Sequence, residues 1–162
     1  MTNRRPLMSF IAATASLVAL DLSTKWWAVR TLPGDARELP GPVDLQLGYN
    51  SGTAFGLFSN VPTGIISIAT IAFVMVVINM WRTGRAPTIP VALVVAGGVA
   101  NVADRLENGS VVDMLHTGWW PTFNLADIYI TIGVATWIIM SIRAFDDTHN
   151  GAASSTAEKT TT

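Results

Sequence analysis

The sequence predicts an all-α membrane protein built as a four-transmembrane-helix bundle. Three observations carry this. Half of the 162 residues are hydrophobic and only 13% are charged, against roughly 25% charged in a typical soluble domain. Four segments come close to the ~20 mostly apolar residues that a helix needs to cross a bilayer. Tryptophans cluster at the segment ends, at Trp26, Trp27, Trp81, Trp119 and Trp120, where amphipathic rings favour the membrane interface. The length suits one domain. The formal net charge of -1 argues against a nucleic-acid partner. The absence of cysteine excludes disulfides, thiol nucleophiles and thiolate metal sites.

The first span is expected over about residues 6–27. Its start, "NRRPLMSFIAATASLVAL", has the basic and apolar parts of a signal peptide. Asp21, Lys25 and a Trp pair follow where a cleavage region would be small and neutral, so the span is read as retained. The second span is expected from Pro62 to Trp81, the third from Thr88 to Leu106, and the fourth from Leu125 to Ile142. Pro62, Pro87 and Pro90 fall at helix starts, where proline is tolerated. Residues 146–162, "DTHNGAASSTAEKTTT" with its neighbouring Asp146, are small and polar and are expected to form a disordered cytoplasmic tail after a membrane domain of residues 1–145. No internal repeat is visible.

The short loop "WRTGRAP" between the second and third spans sets the orientation, because short basic loops stay cytoplasmic. Both termini are then inside, and the loops around residues 28–61 and 107–124 are outside. This topology gathers the unusual polar residues at one face. Asp21 and Lys25 close the first span; Asn101, Asp104 and Arg105 close the third; Asn124 and Asp127 open the fourth; "LGYNSGTAFGLF" precedes the second. Asp21 and Lys25 are i and i+4, Asn101 precedes Asp104 and Arg105 by three and four, and Asn124 precedes Asp127 by three, so each set shares a helix face. Intramembrane polar groups normally face the bundle interior. Gly97 and Gly98, one turn earlier on the third span, would let another helix approach. A polar pocket open to the outer leaflet is implied.

Each feature also has a plainer reading. Asp21 with Lys25 fits a snorkelling ion pair, Asp104 with Arg105 an interfacial pair, and Asn124 with Asp127 a helix cap with an acid in the first turn. Asn108 opens an "NGS" glycosylation pattern, His116 reads as a loop or interface residue, and Trp119 and Trp120 as interface anchors. A Ser51–Lys25 dyad stays open. A metal site would need more ligands than His116 supplies, so no metal and no cofactor are expected. The richest chemistry left is a carboxylate pair, Asp113 with Asp127. At ~4 Å and an effective dielectric of ~20, two full charges repel by ~4 kcal/mol, or ~3 pKa units. One carboxyl would then stay protonated near neutral pH while the other is ionised. The ionised one takes a proton from water and the protonated one polarises a carbonyl. The start of the fourth helix favours the anion on Asp127.

Four motifs in order, "DLSTK", "YNSGTAFGLF", "GGVANVADRLENGSVVDML" and "FNLADIYITIG", resemble those of the prolipoprotein signal peptidases (signal peptidase II), over about residues 6–145. The resemblance implies a small β-rich extracytoplasmic cradle beside the bundle, for which residues 30–60 are suited. It implies a catalytic pair at Asp113 and Asp127, with Asp21, Lys25, Asn50, Gly52, Asn101, Asp104, Arg105 and Asn124 binding substrate or supporting the pair. It further implies a monomeric aspartic endopeptidase of the bacterial cytoplasmic membrane. Such an enzyme cuts diacylglyceryl-prolipoproteins before the lipid-modified cysteine, among membrane lipids. Ala100 stands where the family often has glycine, and Met114 where it often has an aromatic residue, a change expected to reshape the pocket rim. Two other classes remain open: a small ion- or proton-coupled carrier, and a non-catalytic lipid-binding membrane protein.

Overall fold

The computed structural model describes the backbone of residues 4–34, 36–52 and 61–160, and the side chains of residues 7–34, 36–52 and 61–145. The order of elements is α1 (Arg4–Thr31), β1 (Asp44–Asn50), α2 (Thr63–Arg82), α3 (Thr88–Asn108), β2 (Val111–His116) and α4 (Leu125–Thr160). All four helices are long and apolar enough to cross a membrane, and each expected span coincides with one of them, the second starting one residue later than expected, at Thr63. α2 and α3 begin directly after Pro62 and Pro87. α3 stops at Gly109, which takes the left-handed conformation (φ 71°) and donates its N–H to the Arg105 carbonyl, as glycine does after helix ends. The apolar part of α4 ends at Phe145. Its backbone stays helical to Thr160, where polarity led us to expect disorder. The alanines at 152, 153 and 157 are strong helix formers.

α3 is the axis of the bundle. Within its most apolar stretch 72% of residues are buried, against 11%, 22% and 17% for α1, α2 and α4. It packs on all three other helices, while α1 and α4 scarcely meet. Glycine makes this close packing feasible. A Cβ on Gly97 would collide with the Ala126 carbonyl oxygen of α4, one on Gly98 would fall 2.7 Å from Val74 of α2, and one on Gly133 would fall 2.8 Å from the Pro90 carbonyl oxygen of α3. The outward faces of the helices carry Ile68, Phe73, Met75, Ile132, Ile138 and Ile142, a surface suited to lipid rather than water.

The expected cradle is present in part. β1 pairs antiparallel with β2, and bridges join Arg37 to Leu45 and Leu115 to Phe123. The second strand therefore comes from the loop between α3 and α4, not from residues 30–60, and residues 53–60 of the expected cradle lie outside the described residues. The sheet docks on the end of α1 through Ala28, Leu32 and Met114, with Leu45, Leu47 and Leu115 alongside. Met114 thus faces this apolar seam, not a pocket rim, because neighbouring residues on a strand point to opposite faces. A bulge between Leu45 and Gly48 breaks the register opposite Met114. Such bulges re-aim side chains. Beyond it, Gly48 lies across from Asp113.

Candidate active site

The polar residues named from the sequence converge at one end of the bundle. Asp21, Lys25, Asn101, Asp104, Arg105, Asp113 and Asn124 are all buried. Asp113 is 1% exposed and Asn124 has no exposed surface. Burying such groups is costly unless each finds partners, and the partners show how the site is assembled.

Asn124 and Asp127 form a reciprocal cap at the start of α4. The Asp127 N–H donates to Asn124 Oδ1 (3.0 Å), and the Asn124 N–H donates to Asp127 Oδ2 (3.3 Å). The plain reading of this pair as a helix cap is therefore correct, but the cap does more than end a helix. Asn124 Nδ2 donates to Asp113 Oδ1 at 2.7 Å. One asparagine therefore bonds both aspartates and holds them together at the junction of β2 and α4. Asn101 Nδ2 donates to Asp127 Oδ1 at 3.0 Å, which gives that carboxylate a donor on each oxygen. The second oxygen of Asp113 is buried as well.

Behind the pair lies a buried ion cluster. Lys25 Nζ pairs with Asp21 (2.8 Å) and Asp104 (3.4 Å) and donates to Asn101 Oδ1 (2.8 Å). Each of these acids also grips the backbone beside one of the two site aspartates. Asp21 Oδ1 accepts from the Ala126 N–H (2.8 Å), next to Asp127. Asp104 Oδ2 accepts from the Val112 N–H (2.6 Å), next to Asp113. The first helix is thus part of the site, which a cleaved leader would not be. A surface ion pair is excluded for Asp21 and Lys25, and a Ser51–Lys25 dyad has no support, since Lys25 is committed to acids and Asn101.

Arg105 does not pair with its neighbour Asp104. Its Nη2 donates to the Gly52 carbonyl (2.7 Å) and its Nη1 to the Asn101 carbonyl (3.5 Å), tying the segment after β1 to α3. The Gly52 N–H in turn donates to Asn50 Oδ1 (2.9 Å). Asn108, read as a glycosylation pattern, donates its side-chain amide to Asp104 (3.2 Å), which makes it a structural partner. Trp119 and Trp120 stand exposed in an edge-to-face pair, as interface anchors would.

Burial pushes the Asp113 carboxyl up to about 7, and the charge of Asp127 adds to the rise; hydrogen bonds from Asn124 and Asn50 and the Lys25 cation oppose it. The size of the effect matches the charge-repulsion argument from sequence. The leading cause differs: loss of water around Asp113 matters more than the neighbouring charge.

Two cavities meet at Asp127. One of about 120 Å³ is lined by Asn50, Ile66, Thr70, Asn101, Arg105 and Asp127. The other, of about 410 Å³, is bounded by Trp119, Phe123, Asp127, Ile128 and Ile132 among others, and is mostly apolar. Ile66 and Thr70, one turn apart on α2, escaped the sequence reading. Their i, i+4 spacing was the available signal, but nothing in an apolar span distinguishes a pocket-facing pair from a lipid-facing one.

Comparison with known proteins places this architecture. The family model described as Signal peptidase (SPase) II matches residues 13–143. The chain belongs to the signal peptidase II family. It is accordingly a multi-pass membrane protein of a peptidase family. It is similar to the lipoprotein signal peptidase of Rhodococcus jostii, with 34% identity over 88% of this chain and 76% of that protein. The Syntrophomonas wolfei lipoprotein signal peptidase is 33% identical over 82% of this chain and 92% of its own. A solved structure described as a bacterial membrane enzyme, determined by the in meso method at 2.3 Å resolution, superposes with a TM-score of 0.74 and 28% identity. The superposition covers 88% of this chain and 90% of that one.

Proposed function

We propose that the protein is a membrane aspartic endopeptidase that removes signal peptides from diacylglyceryl-modified prolipoproteins, cutting before the lipid-modified cysteine. The observation that carries this is the bonding of Asp113 and Asp127 to a single asparagine, Asn124, in a buried pocket. The names of the relatives supply the substrate class.

In this reading Asp127 is the base. It has donors on both oxygens and lies in the first turn of a helix, where an anion is favoured. Asp113 is the acid, with burial holding its proton near neutral pH. Asp127 takes a proton from water, the water oxygen bonds to the scissile carbonyl carbon, and Asp113 gives its proton to the carbonyl oxygen. The proton held on Asp127 then passes to the amide nitrogen. The C–N bond breaks, and one hydroxyl of the diol returns its proton to Asp113. The pair ends as it began, with no covalent intermediate.

The apolar cavity beside Asp127 suits the acyl chains of the substrate, at ~0.8 kcal/mol for each methylene buried. Short basic loops stay cytoplasmic, so Arg82 and Arg85 between α2 and α3 support cytoplasmic termini, with the site at the outer leaflet of the bacterial cytoplasmic membrane. One chain supplies every residue of the site, which suits a monomer. A carrier would hold its acids near the bilayer midplane, whereas these lie at span ends.

The test is cleavage of a diacylglyceryl peptide by purified protein in detergent, with Asp113→Asn and Asp127→Asn variants and with a chelator. The expected result is folded variants that bind but do not cut, and wild-type cleavage untouched by the chelator. Full cleavage by either variant overturns the reading.

A further inference from the structure

The asparagine amide is nearly symmetric in shape, so its partners decide which end carries the donor and which the acceptor. Asn101 lies between Lys25 and Asp127. An ammonium group only donates, and an ionised carboxylate only accepts. Lys25 Nζ lies 2.8 Å from Asn101 Oδ1, and Asn101 Nδ2 lies 3.0 Å from Asp127 Oδ1. Among the described residues Asn124 Nδ2 is a second, longer donor to Asn101 Oδ1, at 3.4 Å, while its other N–H goes to Asp113 at 2.7 Å, so the short bond from Lys25 is the stronger hold on that oxygen. From this geometry we infer that Lys25 is a positioning residue: it fixes the Asn101 amide so that Asp127 always meets an N–H and never a carbonyl oxygen. This rests on the reading of Asp127 as the base.

The arrangement explains why a buried lysine is kept with two acids. Asp21 and Asp104 engage the ammonium at 2.8 and 3.4 Å, which leaves one of its three donors for Asn101. Without Lys25 the Asn101 oxygen keeps only the longer bond from Asn124, so its N–H is held less firmly against Asp127. A hydrogen bond to a charged group is worth ~1.5–3 kcal/mol, so loss of the Asn101 donor should slow turnover by roughly 10- to 150-fold.

The experiment is a double-mutant cycle on kcat and KM, using wild type, Lys25→Met, Asn101→Ala and the double variant with a diacylglyceryl peptide. If Lys25 acts through Asn101, each single variant lowers kcat with little change in KM, and the double is no slower than Asn101→Ala within about 3-fold. Losses that multiply overturn the inference, because a lysine serving only stability has no reason to depend on Asn101. Should Lys25→Met not fold, the charge-balanced Lys25→Met/Asp104→Asn background replaces it in the same cycle, with Asp104→Asn as its own reference. Asn101→Asp gives a separate check. It keeps an acceptor for Lys25 but brings no N–H to Asp127, so it should fold and turn over at least as slowly as Asn101→Ala; wild-type turnover overturns the inference. Asp127→Asn is assayed alongside. If that variant cleaves normally the dyad itself is wrong, whereas an inactive Asp127→Asn with a multiplicative cycle removes only the role of Lys25.

Discussion

The two ends of the bundle are packed in opposite ways. At one end Phe10, Val74, Val77, Val91, Val94 and Val95 form an apolar core, with Phe10 stacked on Trp81 at 4.1 Å. At the other, α1, α3 and α4 meet through Asp21, Lys25, Asn101, Asp104 and Asn124. The first end shows that α1, α2 and α3 need no buried charge to associate. In a bilayer, small residues and van der Waals packing suffice, and buried ion pairs are seldom better for stability than apolar replacements. The polar end is therefore best explained by what it positions, and the two ends should respond differently to the same kind of damage.

The largest difference is expected at the dyad. Asp113→Asn or Asp127→Asn should lower kcat by roughly 1,000-fold or more, since a positioned acid or base contributes ~10²–10⁴-fold. Thermal melting in detergent should show each variant still folded. Next comes a matched pair of glycines. Gly97→Ala drives a methyl at the Ala126 carbonyl beside Asp127, and Gly133→Ala drives one at the Pro90 carbonyl towards the apolar end. Both should lower the melting temperature. Only Gly97→Ala should also lower kcat of the surviving folded protein, by roughly 100-fold, because a displacement of ~1 Å in a catalytic group costs about that much. Equal losses of kcat would erase the distinction between the ends.

A smaller effect follows from the Asp113 carboxyl, which stands near 7 instead of in the ordinary carboxylate range. Activity that needs this proton should fall about tenfold per pH unit above about 7, read as the alkaline limb of kcat/KM. The sign on stability is the same. The folded protein holds this proton where the unfolded chain releases it, so the contribution is full below about pH 4 and is lost as pH rises through about 7. The smallest effect belongs to the apolar end. Val94→Ala should cost about 1–2 kcal/mol in stability and leave kcat within about 2-fold of wild type.

How far the sequence disclosed this molecule depended on how local each signal was. The helices were legible because apolar length, proline starts and a glycine stop all lie within the segment they define. The polar faces of α1, α3 and α4 were legible because i, i+3 and i+4 neighbours share a face whatever the tertiary structure. The second cradle strand was not. "VVDMLH" pairs with the segment Asp44–Asn50 far earlier in the chain, and nothing in it announces that partner. Nor were the backbone grips of Asp21 on Ala126 and Asp104 on Val112, since Asp21 reaches across 105 residues. The family resemblance named the supporting residues, but their division of labour, one acid behind each site aspartate, emerged only in three dimensions. Arg105 shows the opposite failure. Its adjacency to Asp104 suggested an ion pair, yet consecutive helix residues point about 100° apart, and the two side chains find different partners.

The central claim is that Asp113 keeps a proton near neutral pH beside an ionised Asp127. Infrared difference titration in detergent, wild type against Asp113→Asn, observes this through the C=O stretch of a protonated carboxyl. A band that persists from acid pH up to about 7, and that is missing from Asp113→Asn, is the predicted result. A band already gone by about pH 5 would contradict the account, since both aspartates would then be ionised at neutral pH and no acid would remain to protonate the carbonyl.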